Sequence, residues 1–125
     1  MTDAAPLTFS KEERICGEKS VSRLLAKGHY GAGGSFRFCF TGNDKGFSRI
    51  MISVPKKMFK RAVKRNLMKR RIREAYRHQK DLVKDTPVDI LLIYNSKELI
   101  PYSDVFTQVG NILRRVSAKY TSKKQ

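Results

Sequence analysis

The sequence predicts an α/β (α+β) fold in a single domain, residues 1–125. Segments with helical periodicity alternate with segments of strand periodicity, and the most apolar strand segment is apolar on both faces. The predicted order is helix, strands, helix, strand, helix. A chain of 125 residues has the length of one domain with one core, and no linker or repeat divides it. We expect an ordered core over about 9–118, a loose N-terminus and a frayed basic C-terminal tail.

The first predicted helix is short. Ser20 is a suitable N-cap, Val21, Leu24 and Leu25 follow at helical spacing, and Gly28 stands just past the end. The glycine-rich residues 29–35 then interrupt regular structure, although they could form a ragged edge strand.

Two strand segments follow. "FRFCF" at 36–40 has its phenylalanines at period two, "NDKG" at 43–46 supplies turn residues, and "RIMISV" at 49–54 alternates before Pro55. We interpret these segments as two antiparallel strands.

The C-terminal half begins with a helix over 60–78. "VDILLIY" at 88–94 has the composition of a central strand covered on both faces, and Pro101 and Ser103 announce a last helix. The apolar stripe predicted for that helix consists of Val105, Phe106, Val109, Ile112, Leu113 and Val116.

The charge is strongly positive and concentrated. Lys and Arg number 27 against 11 Asp and Glu, which gives a formal net charge of +16. Residues 56–77 alone hold eleven Lys or Arg and one acid, Glu74. Because such a field repels itself unless a polyanion neutralises it, we expect nucleic acid or an anionic membrane as partner. Solvated surface charge is the alternative, but it normally mixes both signs.

A helical wheel separates two faces of the basic helix. The apolar face consists of Met68, Ile72, Ala75 and Tyr76. The adjoining face, called here the basic arc, consists of Asn66, Lys69, Arg70, Arg73 and Arg77. Arg65 falls within the apolar face, near the helix start, where its long side chain could leave the core or line a groove. Candidate residues for binding the phosphates of a nucleic acid are Lys56, Lys57, Lys60, Arg61, Lys64, Arg65, Asn66, Lys69, Arg70, Arg73 and Arg77.

The aromatic face of the first strand segment permits two interpretations. Exposed rings of Phe36, Phe38 and Phe40 could stack on unpaired bases. Phenylalanine is more often an ordinary core residue, however, and the two alternatives remain equally open here.

Neither catalytic nor metal-binding residues are predicted. Cys16 and Cys39 lack partners at zinc-ligand spacing, as do His29 and His78, and the carboxylates are scattered along the chain. The N-terminus lacks a signal-peptide pattern and no apolar run approaches membrane-spanning length. We expect a soluble cytoplasmic protein with reduced thiols and no membrane partner.

Residues 53–77, "SVPKKMFKRAVKRNLMKRRIREAYR", resemble the protein subunit of bacterial ribonuclease P. The family signature is a strand ending in Ser and Lys, then Arg-Asn-x-x-Lys-Arg-x-x-Arg-Glu and an aromatic residue. Its positions here are Arg65, Asn66, Lys69, Arg70, Arg73, Glu74 and Tyr76. The resemblance covers about residues 9–118. Leu67 departs from the usual arginine, which should alter one RNA contact, and Val21 and Leu25 replace customary phenylalanines of the leader-binding cleft.

The resemblance implies a two-layer sandwich with a mixed, mainly antiparallel four-stranded sheet, three helices and a left-handed βαβ crossover; statistics alone favour a right-handed one. It also implies that a catalytic RNA with bound Mg²⁺ removes the 5′ leader from precursor tRNA. The protein would bind no cofactor itself. One protein per RNA would contact the catalytic RNA through the basic helix and hold the leader in a cleft near Phe36 and Phe38.

Other partners fit the composition less specifically. A ribosomal or other structured-RNA-binding protein is the nearest alternative, because a basic helix alone does not identify one RNA. A DNA-binding module would usually place a companion helix before residue 60, where a strand and Pro55 are predicted. A membrane-surface helix would need its apolar face, which is committed here to a core.

Overall fold

The computed structural model describes residues 18–43, 46–84 and 86–124. The elements are α1 (Glu18–Lys27), β1 (His29–Gly33), β2 (Phe36–Gly42), β3 (Arg49–Ser53), α2 (Ala62–Arg77), a short 3-10 helix (Lys80–Val83), β4 (Val88–Tyr94) and α3 (Tyr102–Lys124). The predicted alternation of helices and strands is confirmed within these residues. Cys16, the N-terminal residues 1–10 and the remaining residues before Glu18 lie outside them.

The four strands form one mixed sheet in the order β1-β2-β4-β3. β1 with β2 and β2 with β4 are antiparallel, whereas β3 with β4 is parallel. The α+β class and the mainly antiparallel sheet are therefore confirmed. α2 connects the two parallel strands, as the resemblance implied. The left-handed sense of that crossover stays a prediction.

The predicted pairing of 36–40 with 49–54 is wrong, because β4 lies between β2 and β3. Six of the seven β4 residues are buried, and the seventh, Ile93, is half-buried. A strand this apolar on both faces gains most from a central position, where neighbouring strands and helices cover it. β4, the last strand in the sequence, therefore pairs with both β2 and β3, and the expected hairpin between β2 and β3 does not form.

The glycine-rich segment after α1 forms an edge strand, β1. Its Gly31 lies opposite Phe38, and a Cβ there would approach that ring to 2.5 Å. Gly34, with φ of +58°, begins the two-residue turn into β2. In the sequence these glycines suggest an interruption of regular structure, but in the fold they allow close packing and a tight hairpin.

The two faces of the sheet are covered unequally. α2 and α3 bury one face in the main core, which contains the inward side chains of β2 and β4. α1 lies on the opposite face, where Leu24 packs with Cys39 and Leu91. The helix and sheet layers predicted by the resemblance are present, and α1 adds partial cover on the second side. α1 begins at Glu18, so Ser20 is not its N-cap, while Gly28 follows its last residue as predicted.

α3 differs from its prediction at both ends. Five of the six predicted stripe residues are buried, but the Phe106 side chain is 37% exposed. The helix also continues to Lys124, beyond the predicted end of the ordered core. Phe106 therefore does not belong to the core-facing stripe, and the basic C-terminal residues extend a helix.

Candidate nucleic-acid interface

The wheel separates the two faces of α2 correctly. Met68, Ile72, Ala75 and Tyr76 are buried in the main core. On the basic arc, Asn66, Arg70 and Arg73 are exposed, and Lys69 and Arg77 are half-buried. Because the apolar face fixes the helix against the sheet and α3, the arc is held as a rigid, positively charged surface. Its binding to RNA stays a prediction.

Arg65 makes local contacts at the start of α2. Its guanidinium Nη1 donates hydrogen bonds to the carbonyl oxygens of Phe59 at 3.0 Å and Lys60 at 3.1 Å. The helix has no side-chain cap at Arg61, so Arg65 fixes the preceding loop instead. One nitrogen of this signature arginine is therefore engaged within the protein, and its side chain is half-buried.

The other predicted cations cluster around this helix start. Lys56, Lys57, Lys60, Arg61 and Lys64 are all exposed in the connection from β3 and the first turn of α2. By the wheel, Lys64 projects from a different side of the helix than the basic arc. The connection and the arc thus present cations in more than one direction.

At the far end of α2, Arg77 forms an ion pair with Glu74 at 2.7 Å. His78 Nε2 lies 3.4 Å from the same carboxylate. The hydrogen bond from Arg77 lowers the pKa of Glu74 below its usual value. Glu74 therefore partly neutralises Arg77, whereas Arg70 and Arg73 on the same arc are exposed to solvent.

The three β2 phenylalanines are core residues. Phe36, Phe38 and Phe40 are 1%, 4% and 4% exposed, and all three pack in the main core with α2 and α3. Phe36 lies edge-on to Tyr94, and Phe38 stacks on Phe40. This burial favours the core interpretation of the three rings, and their role in a leader-binding cleft stays a prediction.

The open part of the sheet lies on the opposite face. Strand register places Arg37 of β2, Ile93 of β4 and Ser53 of β3 side by side, and we call these three residues the open row. Arg37 is exposed and the other two are half-buried. α1 covers the adjoining row through Leu24, which contacts Cys39 and Leu91. The period-two position of Arg37, opposite the phenylalanines, is the sequence signal that could have indicated this face.

The cysteine, histidine and acidic side chains that the structure describes are dispersed. Across 18–43, 46–84 and 86–124, no three His, Cys, Asp or Glu side chains are grouped so as to hold a metal ion. Cys39 is buried, its thiol donates to the Leu24 carbonyl, and burial raises its pKa. His29 packs on Phe40, whereas His78 lies beside Glu74. No helix in the described part has the length and apolar content to cross a bilayer.

Comparison with known proteins decides which family contains this arrangement. The sequence model of the family Ribonuclease P matches residues 9–117. The chain belongs to the ribonuclease P protein family. It is 32% identical over 109 residues to the ribonuclease P protein component of Syntrophus aciditrophicus, covering 87% of this chain and 91% of that relative. A Petrotoga mobilis relative of the same name is 32% identical over 117 residues, covering 89% and 97%.

Solved structures of ribonuclease P proteins share the fold. A mutant Staphylococcus aureus protein with defective mRNA degradation activity gives a TM-score of 0.76 at 28% identity, covering 85% of this chain and 89% of that one. The Thermotoga maritima protein gives 0.73 at 26% identity, covering 82% and 96%. The chain is thus the protein component of a tRNA-processing ribonuclease, and its partner is ribonuclease P RNA.

The ribonuclease P signature residues have different surroundings in this structure. Asn66, Arg70 and Arg73 face solvent, whereas Arg65 fixes the preceding loop and Glu74 pairs with Arg77. Among the departures, Leu67 and Val21 are half-buried, and Val21 packs against the cluster under α1. Leu25 is 45% exposed. Of the two replacements on α1, Val21 therefore packs towards the sheet, whereas Leu25 is exposed to solvent.

Proposed function

We propose that the chain binds ribonuclease P RNA through the basic arc of α2, and that the RNA performs cleavage while the protein positions the substrate. The observation that carries this proposal is the exposed set of Asn66, Arg70 and Arg73 on the face that adjoins the buried apolar face of α2. Arginine can hold a phosphate through two parallel hydrogen bonds. Each phosphate contact also releases condensed counterions, which supplies affinity.

The rigidity of α2 strengthens this assignment. Four buried side chains fix the helix rotation, so the arc cannot turn away from a bound RNA without disrupting the core. A helix that is free in solution would have to lose conformational freedom on binding, which costs affinity. The arc is therefore suited to a structured RNA that presents a fixed array of phosphates.

The 5′ leader of precursor tRNA would cross the open row of the sheet. Arg37 supplies a cation, and the half-buried Ile93 with the adjoining Met51 supplies an apolar floor. β3 ends at Ser53, and the chain continues directly into exposed Lys56 and Lys57. An unpaired strand needs such a combination, because its phosphates require cations and its bases require apolar contact.

The composition of the described residues supports assigning the chemistry to the RNA. Two-metal phosphodiester cleavage needs converging carboxylates, and the described residues form no such cluster. Mg²⁺ in the holoenzyme would therefore be bound by the RNA, and the protein alone would bind no cofactor. We further propose one protein per RNA and a cytoplasmic location, where precursor tRNA is processed.

Reconstitution tests the proposed division of labour. Purified protein with Mg²⁺ should leave precursor tRNA intact, the RNA subunit should cleave it, and protein should lower the substrate concentration that the RNA requires. The variant Arg70→Ala/Arg73→Ala should keep the fold, but it should no longer lower the substrate concentration that the RNA requires. Cleavage by RNA-free protein that survives a nuclease-contamination control would contradict the proposal.

A further inference from the structure

Two exposed aromatic side chains lie at the start of α3. Tyr102 is 38% exposed and Phe106 is 37% exposed, one helical turn apart. Their ring centroids are 6.0 Å apart with an interplanar angle of 55°. We call Tyr102 and Phe106 the aromatic pair. More than a third of the surface of each residue is therefore accessible to a binding partner.

The aromatic pair is held firmly against the end of α2. Arg71 Nη1 donates to the carbonyl oxygen of Ile100, just before α3 begins. Buried Gln79 donates through Nε2 to the carbonyl oxygens of Phe106 at 2.9 Å and Ala75 at 3.1 Å. These contacts join the first turns of α3 to α2, so the two rings are pre-positioned.

The aromatic pair adjoins the basic arc. Gln79, two residues after the end of α2, bridges the carbonyl oxygens of Ala75 and Phe106, which places the start of α3 beside the last turn of α2 and its Glu74–Arg77 ion pair. Arg77 is the last residue of the basic arc, and half-exposed His78 follows it. Aromatic and cationic groups therefore lie side by side at this end of α2.

We propose that the aromatic pair stacks an unpaired nucleotide of ribonuclease P RNA whose neighbouring phosphates lie on the basic arc. This inference rests on the proposed binding of RNA by α2. The adjoining positive charge is complementary to RNA. Two half-exposed rings also offer much less area than the roughly 800 Å² per partner of a stable protein interface, whereas stacking on one base needs little more than a ring face.

The dependence of RNA affinity on salt concentration distinguishes base stacking from phosphate contacts. The double variant Tyr102→Leu/Phe106→Leu keeps apolar bulk but removes both rings, and Phe47→Leu is the matched control because Phe47 is 36% exposed in the connection between β2 and β3. Affinity for ribonuclease P RNA should fall about 5-fold or more in the double variant at every salt concentration. The slope of log affinity against log salt should not change, because every cation that binds a phosphate is still present. Phe47→Leu should bind like the parent.

A fluorescence measurement provides a second readout. The chain contains no tryptophan, so Tyr102→Trp introduces one reporter at the proposed stacking site and Phe47→Trp introduces one at the control site. RNA should quench the first reporter and leave the second unchanged. In the absence of RNA, the Tyr102→Trp signal should not depend on protein concentration.

The outcomes distinguish this inference from the proposed function. Suppose that the parent protein binds the RNA tightly in filter binding, that the double variant binds equally well, and that RNA does not quench the Tyr102→Trp fluorescence. The proposed stacking site is then wrong, and RNA binding by α2 is unaffected. If none of the variants or the parent protein binds RNA, the proposed function itself fails. A reporter signal that changes with protein concentration alone would mean that a second copy of the chain covers the rings, which overturns the inference.

Discussion

Arg49 and Asp89 form a bidentate ion pair between the two parallel strands of the sheet. Arg49 Nε donates to Asp89 Oδ1 at 2.8 Å and Nη2 donates to Oδ2 at 2.7 Å. The two residues are register partners on β3 and β4, and Asn43 also donates to Asp89. Their side chains are 13% and 3% exposed. This contact joins the strand that precedes α2 to the strand that follows it.

Removing one partner of this pair should be strongly destabilising. We expect Asp89→Ala to lower the free energy of unfolding by about 3–5 kcal/mol, because the Arg49 guanidinium would remain largely buried without its carboxylate. The double variant Arg49→Met/Asp89→Leu should recover much of that loss. Urea denaturation of both variants tests this, and equal losses in the single and double variants would contradict it.

The Glu74–Arg77 pair should give a small pH-dependent contribution to stability. The pKa of Glu74 is lowered from its usual 4.5 in the folded protein, so folding favours the carboxylate. The contribution is therefore fully present above the unfolded pKa and is lost as pH falls through the folded pKa. Because the Glu74 side chain is 44% exposed, Glu74→Gln should cost only about 0.3–0.5 kcal/mol at pH 7. The difference from the parent should vanish in acid, and a difference that grows in acid would reverse the assigned sign.

The basic arc should determine the salt dependence of RNA binding. If the complex contains six to ten phosphate contacts, affinity should fall about 10³- to 10⁵-fold between 50 and 200 mM salt. Arg70→Ala/Arg73→Ala should lower the slope by about 0.9 for each phosphate that is no longer neutralised. Lys84→Ala/Lys97→Ala removes the same charge from exposed positions outside the arc and should change the slope less. Equal slopes for the two double variants would show that only net charge matters.

Local periodicity predicts the elements of this fold better than their pairing. The wheel of α2 identifies its buried residues because one helix face contacts the core. Period two likewise places Phe36, Phe38 and Phe40 on one face of β2, but periodicity does not say which face the helices cover. The position of β4 between β2 and β3 could not be predicted in this way, because strand order depends on contacts that are distant in sequence.

The candidate site shows the same limit at the level of single residues. Arg65 and Arg70 are both signature arginines, yet Arg65 fixes a loop through two carbonyl contacts and Arg70 faces solvent. Phe106 has the spacing of a core residue, yet it is 37% exposed while the adjacent Val105 is buried in the main core. Composition predicts the polyanionic partner, but only the structure separates the cations that face solvent from those that support the fold.

The open row should affect discrimination by leader, and the core phenylalanines should not. In enzyme reconstituted with ribonuclease P RNA, Arg37→Ala should reduce the preference for precursor tRNA with a leader of several nucleotides over leaderless tRNA. Phe38→Leu should lower protein stability through its core position and keep that preference. The measurement is substrate affinity against leader length. If Phe38→Leu loses this preference while Arg37→Ala keeps it, the leader binds on the face of the sheet that α2 and α3 cover.

Arg65 and Arg70 should separate stability from RNA affinity. Arg65→Met keeps the aliphatic stem but removes both hydrogen bonds to the carbonyls of Phe59 and Lys60. Each charge-assisted hydrogen bond typically contributes about 1.5–3 kcal/mol, and partial exposure reduces this, so we expect a loss of about 1–2 kcal/mol in unfolding free energy. Arg70→Met is the matched control because Arg70 is exposed, and it should change stability by less than about 0.5 kcal/mol.

RNA titrations of the same two variants complete the comparison. Arg70→Met should weaken binding and lower the salt slope, because one phosphate is no longer neutralised. Arg65→Met should weaken binding mainly by loosening the connection that carries Lys56, Lys57 and Lys60, so its deficit should shrink at low temperature, where that connection is better ordered. If Arg65→Met leaves stability unchanged but lowers the salt slope as much as Arg70→Met does, Arg65 is an RNA ligand and its carbonyl contacts are incidental.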